Sequence, residues 1–311
     1  MKRIIFIILN IFILFIIVDR SCTFVLDKIS EHVYAGQGVG KVNHFLKIKN
    51  EKELIIFGSS RANHHIDNIK LDSSSFNAGI DGKKIGFIAG LISCLSNKTN
   101  IIVHIDPEEM SNPNYVGEDC KSLNSLYKRN ADVRKFIDFN FPSESWILRV
   151  VNSYGYNGKV WSIFKNSIRP KYDYTKYTGF DPLVPTQSQK NIFNNMMEKR
   201  LDHGQSMKSD SIYYVINQYS NSYIDQILSK AKEYQINITF ITSPIIGKQN
   251  KKLAEFIQEY FASKQVKYLN YSGLYNDLSI YKDYWKDLSH LSKFGAEDFT
   301  EKLRSDLNFI N

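Results

Sequence analysis

The stretch Leu54-Ile55-Ile56-Phe57-Gly58-Ser59-Ser60-Arg61 decides the fold of this chain. An apolar run that contains two adjacent isoleucines ends in a glycine and two hydroxyl side chains. Such a run, bounded by glycine, is typical of a buried strand that enters a tight turn. Where a parallel strand ends, a serine hydroxyl lies above the sheet edge, beside the first N–H groups of the next helix. The stretch therefore predicts a strand end that can carry a nucleophile.

The alternation of strand and helix continues outward from this point. Helices are indicated over Gly82–Ser96, through Ile224–Ala231, through Leu253–Phe261, and after Ser292 as an N-cap. Because strands that alternate with helices pair in parallel through right-handed crossovers, we predict a three-layer α/β/α sandwich with a five-stranded, mainly parallel sheet. The further strands are predicted within 75–82, at 101–105, at 238–241 and at 266–269.

Between about 110 and 235 the alternation is lost, and this segment is predicted to be an insertion. Trp146–Phe164 is predicted to be helical, and a loop rich in Tyr, Pro and Lys follows. Aromatic side chains can stack on sugar rings, but they can equally pack into a core, and the sequence leaves both readings open. The aromatic residues concerned are Tyr154, Tyr156, Trp161, Tyr172, Tyr174, Tyr177 and Phe180.

The composition is that of a globular protein. Of the 311 residues, 23% are charged and 43% are hydrophobic, which argues against disorder. The formal net charge of +8 favours anionic partners, but the chain has no dense Lys/Arg tract of the kind that marks nucleic-acid binding. We therefore predict no nucleic-acid partner.

The cysteines and histidines do not suggest a metal site. Cys22, Cys94 and Cys120 are too few for a disulfide framework, and Cys94 is predicted to be a buried free thiol. The chain has neither a Cys-x-x-Cys nor a His-Glu-x-x-His motif. We predict no metal and no cofactor.

The N-terminal stretch is directed to a membrane. Lys2 and Arg3 precede the apolar run Ile4–Val18, whose length suits a signal peptide or, with its flanking residues, a bilayer-spanning helix. No Ala-x-Ala cleavage site follows, and Cys22 lacks a lipobox. We favour an uncleaved single-pass anchor, and the basic residues before it leave the rest of the chain outside the cytoplasm. The predicted division is an anchor or signal segment at 1–20, a glycine-containing linker at 21–50 and one domain at 51–311.

Three short motifs carry the chemistry: Gly58-Ser59-Ser60, Asn77-x-Gly79-x-x-Gly82 and Asp287-x-x-His290. A serine nucleophile needs a base within hydrogen-bond reach, and His290 can supply it. Asp287 can hold the Nδ1 hydrogen of His290 and leave Nε2 facing the serine. Ser60 is the predicted nucleophile and Ser59 the competing serine; the alternative is a strand-end turn whose hydroxyls cap a helix.

In these motifs the chain resembles the SGNH (GDSL-type) hydrolases, over about 54–110 and 236–307. The Gly-Ser-Ser-Arg version is similar to membrane-anchored members that act on bacterial cell-envelope polymers, including polysaccharide O-acetyltransferase-like proteins and the D-alanine transfer protein of teichoic acids. The resemblance implies a flavodoxin-like sheet and a catalytic triad of Ser60, His290 and Asp287. It also implies an oxyanion hole formed by the N–H groups of Ser60 and Gly79.

For the other residues in and near these motifs, the expected roles are less specific. Arg61 is expected in the cleft, on an anionic substrate group or on a surface carboxylate. Asn77 is expected to brace its turn or to lie near substrate. The family's asparagine after the third strand is replaced by His104-Ile105-Asp106-Pro107, so Asn112 or Asn114 is a candidate substitute donor, while His104 and Asp106 are interpreted as structural or peripheral.

The expected function is an extracytoplasmic serine esterase or O-acyltransferase on ester groups of a cell-envelope carbohydrate polymer. Its partners would be the membrane, the polymer or an acylated small molecule, and an acyl-donor protein embedded in the membrane. The departure at residues 104–107 motivates an alternative, a catalytically inactive scaffold in an envelope polysaccharide assembly complex. An ordinary α/β-hydrolase is a third reading, but Ala62 replaces its usual second glycine.

Overall fold

The computed structural model describes residues 1–202, 214–247 and 250–307. Five strands form one sheet in the order β2-β1-β3-β4-β5, and each neighbouring pair is parallel. The predicted α/β class and five-stranded parallel sheet are therefore confirmed. The strands are Leu54–Phe57 (β1), Ser75–Asn77 (β2), Asn100–His104 (β3), Asn237–Thr242 (β4) and Lys267–Asn270 (β5).

Helices surround the sheet and fill the connections. The α-helices are Lys2–Glu31 (α1), Val39–Ile48 (α2), Ser60–His65 (α3), Asn68–Leu71 (α4), Ile85–Ile92 (α5), Pro107–Met110 (α6), Ala131–Asn140 (α7), Pro142–Val150 (α8), Val160–Ile168 (α9), Gln187–Asp202 (α10), Gln218–Tyr234 (α11), Lys251–Ser263 (α12), Leu278–Tyr281 (α13) and Lys293–Leu307 (α14). Turns of 3₁₀-helix lie at Glu118–Leu126, Asn152–Tyr156, Tyr174–Lys176 and Lys282–Tyr284.

The strand β1 shows why the chain forms three layers. All four of its side chains are buried, as expected for a parallel strand covered on both faces. Ile55 and Phe57 join the core beneath α5, α11 and α12, whereas Leu54 and Ile56 join a second core with α3 and α14. Alternate residues of one strand thus anchor both outer layers.

The sheet order defines where a cleft opens. The chain passes from β1 to β2 on one side and then returns to β3 on the other side of β1. The connections after β1 and β3 therefore diverge, and a crevice opens between their carboxyl ends. Ser60 follows β1 and Asp106 follows β3, so both residues lie at this crevice.

The N-terminal helix α1 is long and apolar enough to cross a membrane, a property that a signal sequence shares. It continues through Glu31, beyond the apolar run, and α2 covers Val39–Ile48, so that much of the predicted linker is helical. The carboxylate of Asp19 accepts hydrogen bonds from the N–H groups of Asn152 and Ser153 at 3.0 and 2.9 Å. These contacts join α1 to the rest of the chain. The division into three segments stays a prediction.

Short helices occupy much of the described part of the middle of the chain, but Trp146–Phe164 is not one helix. The helix α8 ends at Val150, a 3₁₀ turn follows, and α9 begins at Val160. Gly158 has a φ of +72°, which an α-helix cannot contain, so the prediction of continuous helix was wrong. Tyr172 and Tyr177 pack on each other with ring centroids 4.1 Å apart.

Candidate active site

The nucleophile position is set by a close approach at Gly58. A Cβ at this position would lie 2.5 Å from the Cβ of Ala62 and 2.8 Å from that of His104. Only glycine lets β1 turn this tightly into α3. The turn makes Ser59 the N-cap of α3 and Ser60 its first residue. Because the first N–H groups of a helix have no intrahelical acceptor, the N–H of Ser60 is free to meet a substrate atom.

The structure brings Ser60, His290 and Asp287 together, although they are far apart in the chain. The Oγ of Ser60 lies 2.9 Å from Nε2 of His290. The Nδ1 of His290 lies 3.0 and 3.1 Å from the two carboxylate oxygens of Asp287. With Nδ1 donating to the carboxylate, Nε2 is left as an acceptor for the serine hydroxyl.

The Asp287 carboxylate is held by its own loop. It accepts hydrogen bonds from the N–H groups of Ser289 and His290 at 2.9 and 3.0 Å, so the turn and the imidazole share one anchor. Partial burial works to raise the pKa of Asp287, but the hydrogen bonds from the His290 ring and from Ser289 outweigh it and lower the pKa to about 2. The carboxylate is therefore ionised at any pH at which the protein would be assayed.

Gly79 does not have the arrangement expected of an oxyanion donor. Its N–H donates to Oδ1 of Asn77 at 2.9 Å, and Gly79 does not line the cavity in front of Ser60. The close approach of Gly79 is instead to α3, since a Cβ there would lie 2.7 Å from the backbone nitrogen of Asn63. The N–H of Gly79, which was expected to be the second oxyanion donor, is therefore hydrogen-bonded to Asn77 instead.

Asn77 is a buried brace. Its Nδ2 donates to the carbonyl oxygens of Ala62 and Ile66 at 2.8 and 2.9 Å. With Gly79 on its Oδ1, the Asn77 side chain ties the end of β2 to α3. Of the two expectations for Asn77, bracing agrees with the geometry.

Arg61 and Asp106 form an ion pair at the crevice. Both residues line the cavity, and a guanidinium nitrogen of Arg61 donates to the Asp106 carboxylate. The other carboxylate oxygen of Asp106 caps α6 by accepting from the N–H of Glu108 at 3.1 Å. Asp106 is thus not peripheral, and the buried Arg61 lines the cavity beside the loop that follows β3.

The substitutes proposed from the sequence do not reach this place. Neither Asn112 nor Asn114 lines the cavity; the Oδ1 of Asn112 accepts from the N–H of Asn114 at 3.0 Å, within their own turn. The geometry of the cavity therefore does not support either of them as the substitute for the missing asparagine. Arg61 was the sequence-predicted residue that the fold does bring there.

A cavity of about 310 Å³ opens in front of Ser60 and His290. One wall is charged, and there Lys84 pairs with Glu109 at 2.6 Å. The remaining lining is largely apolar, and most of it belongs to the hydrophobic core. The apolar wall consists of Ile85, Ile88, Ile105, Met110, Tyr115 and Ile245.

A buried chain of hydrogen bonds supports the histidine loop from below. The N–H of Leu291 donates to Nε2 of His65 at 3.0 Å, so Nδ1 of His65 carries the hydrogen and donates to Ser243 at 2.9 Å. Ser243 in turn meets Nε2 of His104 at 2.9 Å. Burial, together with repulsion from Arg61, holds the pKa values of both histidines well below the usual range. Both rings are therefore neutral supports.

His64 has a different environment on the adjacent side of His290. Its ring lies edge to face with that of His290, with centroids 5.6 Å apart. Nδ1 lies 2.6 Å from the carbonyl oxygen of Asp181, and Nε2 lies 3.2 Å from the Asp81 carboxylate. Burial works to lower the pKa of His64, but these two acceptors outweigh it and raise the pKa. Two acceptors on one ring favour the imidazolium form.

A buried lysine lies behind this histidine. Nζ of Lys41 donates to Oδ1 of Asn63 and to the carbonyl oxygen of Gly179, both at 2.6 Å. Complete burial lowers the pKa of Lys41 to about 7, against the opposing effect of Asp181 and Asp81. These hydrogen bonds join α2 and the loop at residues 179–181 to α3. No local sequence pattern predicts this cluster.

Metal ligands are not gathered in this region. Within residues 1–202, 214–247 and 250–307, no group of three or more His, Cys, Asp or Glu side chains is arranged to hold a metal ion.

The chain was compared with family models, curated proteins and solved structures. No family model and no curated protein matches the chain. A solved structure from Streptococcus pneumonia, provisionally described as a platelet activating factor, is similar over 87% of this chain and 92% of its own, with 13% sequence identity and a TM-score of 0.43.

Proposed function

We propose that this protein is a serine-dependent esterase or O-acyltransferase that acts outside the cytoplasm on ester groups of a cell-envelope carbohydrate polymer. The observation that carries the proposal is the hydrogen bond of 2.9 Å between Ser60 and His290, whose other nitrogen meets Asp287. A serine, a histidine and a carboxylate in this order are the parts that nucleophilic acyl transfer requires.

In the proposed reaction, Oγ of Ser60 attacks the ester carbonyl carbon while Nε2 of His290 takes the hydroxyl proton. Asp287 stabilises the imidazolium that forms. When the tetrahedral intermediate collapses, the bond to the leaving oxygen breaks and His290 returns the proton to that oxygen. An acyl group remains on Ser60. Water or a sugar hydroxyl then attacks this acyl-enzyme, with His290 again as the base, and Ser60 is released.

The oxyanion of the intermediate needs donors that are already in place. We infer that the N–H of Ser60 is one donor and that the Arg61 guanidinium takes the place of the family's asparagine. Asp106 holds that guanidinium at the cavity wall. A cation held by a carboxylate is a stronger donor than an amide, which suits a developing negative charge.

The membrane and polymer roles rest on the N-terminal helix and on the sequence resemblance. An anchored enzyme would meet its polymer at the cell surface, and a transferase would receive its acyl group from a donor protein in the same membrane. The apolar wall of the cavity suits the acyl part of an ester. Hydrolysis and transfer share the first half of the reaction. They differ in the molecule that attacks the acyl-enzyme, which is water in hydrolysis and a sugar hydroxyl in transfer.

A fluorophosphonate probe tests the nucleophile directly. We expect the folded protein to be labelled on Ser60, as shown by mass spectrometry of the modified peptide, and to hydrolyse p-nitrophenyl acetate. Ser60→Ala should abolish both, whereas Ser59→Ala should still be labelled. An unchanged hydrolysis rate in Ser60→Ala contradicts the assignment.

The engaged N–H of Gly79 favours a second candidate, the inactive scaffold in an envelope assembly complex. This function predicts no labelling of the folded wild type, together with retained binding of assembly partners. The same probe therefore separates the two candidates.

A further inference from the structure

A second cavity, of about 340 Å³, lies between α2, α9 and the 3₁₀ segment Glu118–Leu126. Two lysines, Lys83 and Lys159, supply all of the charge on its lining, and no Asp or Glu is among the described residues of its wall. Hydroxyl and amide groups supply the remaining polar surface. They belong to Gln37, Asn43, Ser122, Ser125, Asn157 and Ser162.

The ammonium group of Lys83 is directed to this second cavity. Its Nζ donates to Oγ of Ser122 at 2.5 Å and lies 5.6 Å from the centroid of the Phe87 ring, and both partners line the second cavity. Lys83 also lines the cavity of Ser60, so the two cavities are neighbours. Asp119 attracts Lys83 at longer range, but its carboxylate accepts from the N–H groups of Lys84 and Phe87.

Lys159 faces the same space from the other side. Its Nζ donates to Oγ of Ser125 at 3.3 Å and to the carbonyl oxygen of Gly155 at 3.2 Å. Burial, with repulsion from Lys83 and Arg129, lowers the pKa of Lys159 to about 7. Across the described ranges, neither Lys83 nor Lys159 has an ion pair with a carboxylate. Two neighbouring, half-buried lysines without a paired carboxylate leave room for a bound anion to supply the missing negative charge.

We propose that this second cavity binds a phosphate-type oxyanion. Two ammonium groups can neutralise a doubly charged group, and the surrounding serine hydroxyls can donate to its remaining oxygens. A carboxylate would leave several of these donors unused. The site does not depend on the ester chemistry proposed for Ser60.

The phosphate can belong to a soluble molecule or to a lipid headgroup, and the position of the cavity favours the soluble source. Tyr156, which precedes the cavity residue Asn157, donates to the carboxylate of Asp27 on α1. Asp27 lies about two helical turns, or ~12 Å, beyond Asp19, where the apolar run ends. A headgroup at the end of that run would lie below the cavity.

Thermal unfolding of the full-length chain in neutral detergent micelles tests this proposal. At matched ionic strength, saturating inorganic phosphate should raise the Tm by about 3 °C relative to chloride. Ser60→Ala should respond equally, so that failure of the ester chemistry does not affect the readout. Lys159→Gln should lose the response, and Lys165→Gln, which removes an exposed lysine from α9, should keep it.

A second variant covers the case in which Lys159→Gln does not fold. Ser122→Asp supplies a carboxylate to Lys83, so we expect it to raise the Tm without phosphate and to abolish the phosphate response. An absent response in the wild type, or an equal one in Lys159→Gln, overturns the proposal. An equal response to acetate overturns the phosphate class. Stabilisation only by phosphatidylglycerol vesicles, and not by free phosphate, overturns the soluble source.

Discussion

The backbone N–H of Leu291 donates to Nε2 of the buried His65 across 3.0 Å. Leu291 directly follows His290, so a neutral imidazole holds the loop that carries the candidate catalytic base. His65 is itself fixed by Ser243 at the end of β4. The position of His290 thus depends on a side chain outside the candidate triad.

We predict that His65→Ala lowers kcat for a p-nitrophenyl ester by about 10-fold to 100-fold with little change in KM. The reason is that a small displacement of a catalytic group costs rate even when substrate binding is kept. Steady-state kinetics measure both constants.

Asn68→Ala is the matched control, since it also removes a fully buried polar side chain, one that donates to Ser75 at 2.8 Å away from the cavity. It should lower the Tm and leave kcat near the wild-type value. Equal kcat values in the two variants would show that His65 serves stability alone.

Arg61 gives the second prediction. If its guanidinium donates to the oxyanion, Arg61→Met should lower kcat about 100-fold, the usual cost of one such donor. The partner carboxylate of Asp106 is 35% exposed, so water can solvate it in the variant. Asp106→Asn keeps an oxygen to cap α6 and should lower kcat less. A wild-type kcat in Arg61→Met would exclude this role.

The sequence predicted the sheet from local signals, and the resemblance implied which serine, histidine and aspartate would meet at the sheet edge. An apolar run before Gly58 marks a strand end, and parallel strand ends share one edge of the sheet. Asp287 and His290 are three residues apart, so one turn can hold both. The strand end and the turn from Asp287 to His290 need no knowledge of distant contacts, whereas the contact between Ser60 and His290, 230 positions apart, does.

The features that were missed depend on packing between distant segments. The hydrogen bond from Gly79 to Asn77 removes the expected second oxyanion donor, and it follows from how closely β2 approaches α3. Lys41 contacts Gly179, which is 138 positions away. Lys83 and Lys159 line one cavity only because the chain that follows β3 returns to the start of α5. The spacing of residues in the sequence does not predict contacts between segments so far apart.

His64 gives a prediction about pH. Its pKa is raised in the folded state, so the stabilisation it supplies is complete below its unfolded pKa and is lost as the pH rises through the folded value. The free energy of unfolding should therefore differ between wild type and His64→Gln more at pH 5.5 than at pH 9. Urea denaturation at the two pH values measures this difference. A larger difference at pH 9 would show that the ring is not the imidazolium partner of Asp81.

The apolar wall of the cavity gives the last prediction, on the size of the acyl group. Ile88 is buried on α5 and lines the cavity, whereas Ile92, one turn later, is buried outside it. Ile88→Phe should reduce kcat/KM for p-nitrophenyl butyrate at least tenfold more than for the acetate, because a filled pocket rejects additional methylene groups. Ile92→Phe overpacks the same helix and should lower stability while leaving the butyrate-to-acetate ratio unchanged. A ratio that does not move in Ile88→Phe would mean that the acyl group does not lie against Ile88.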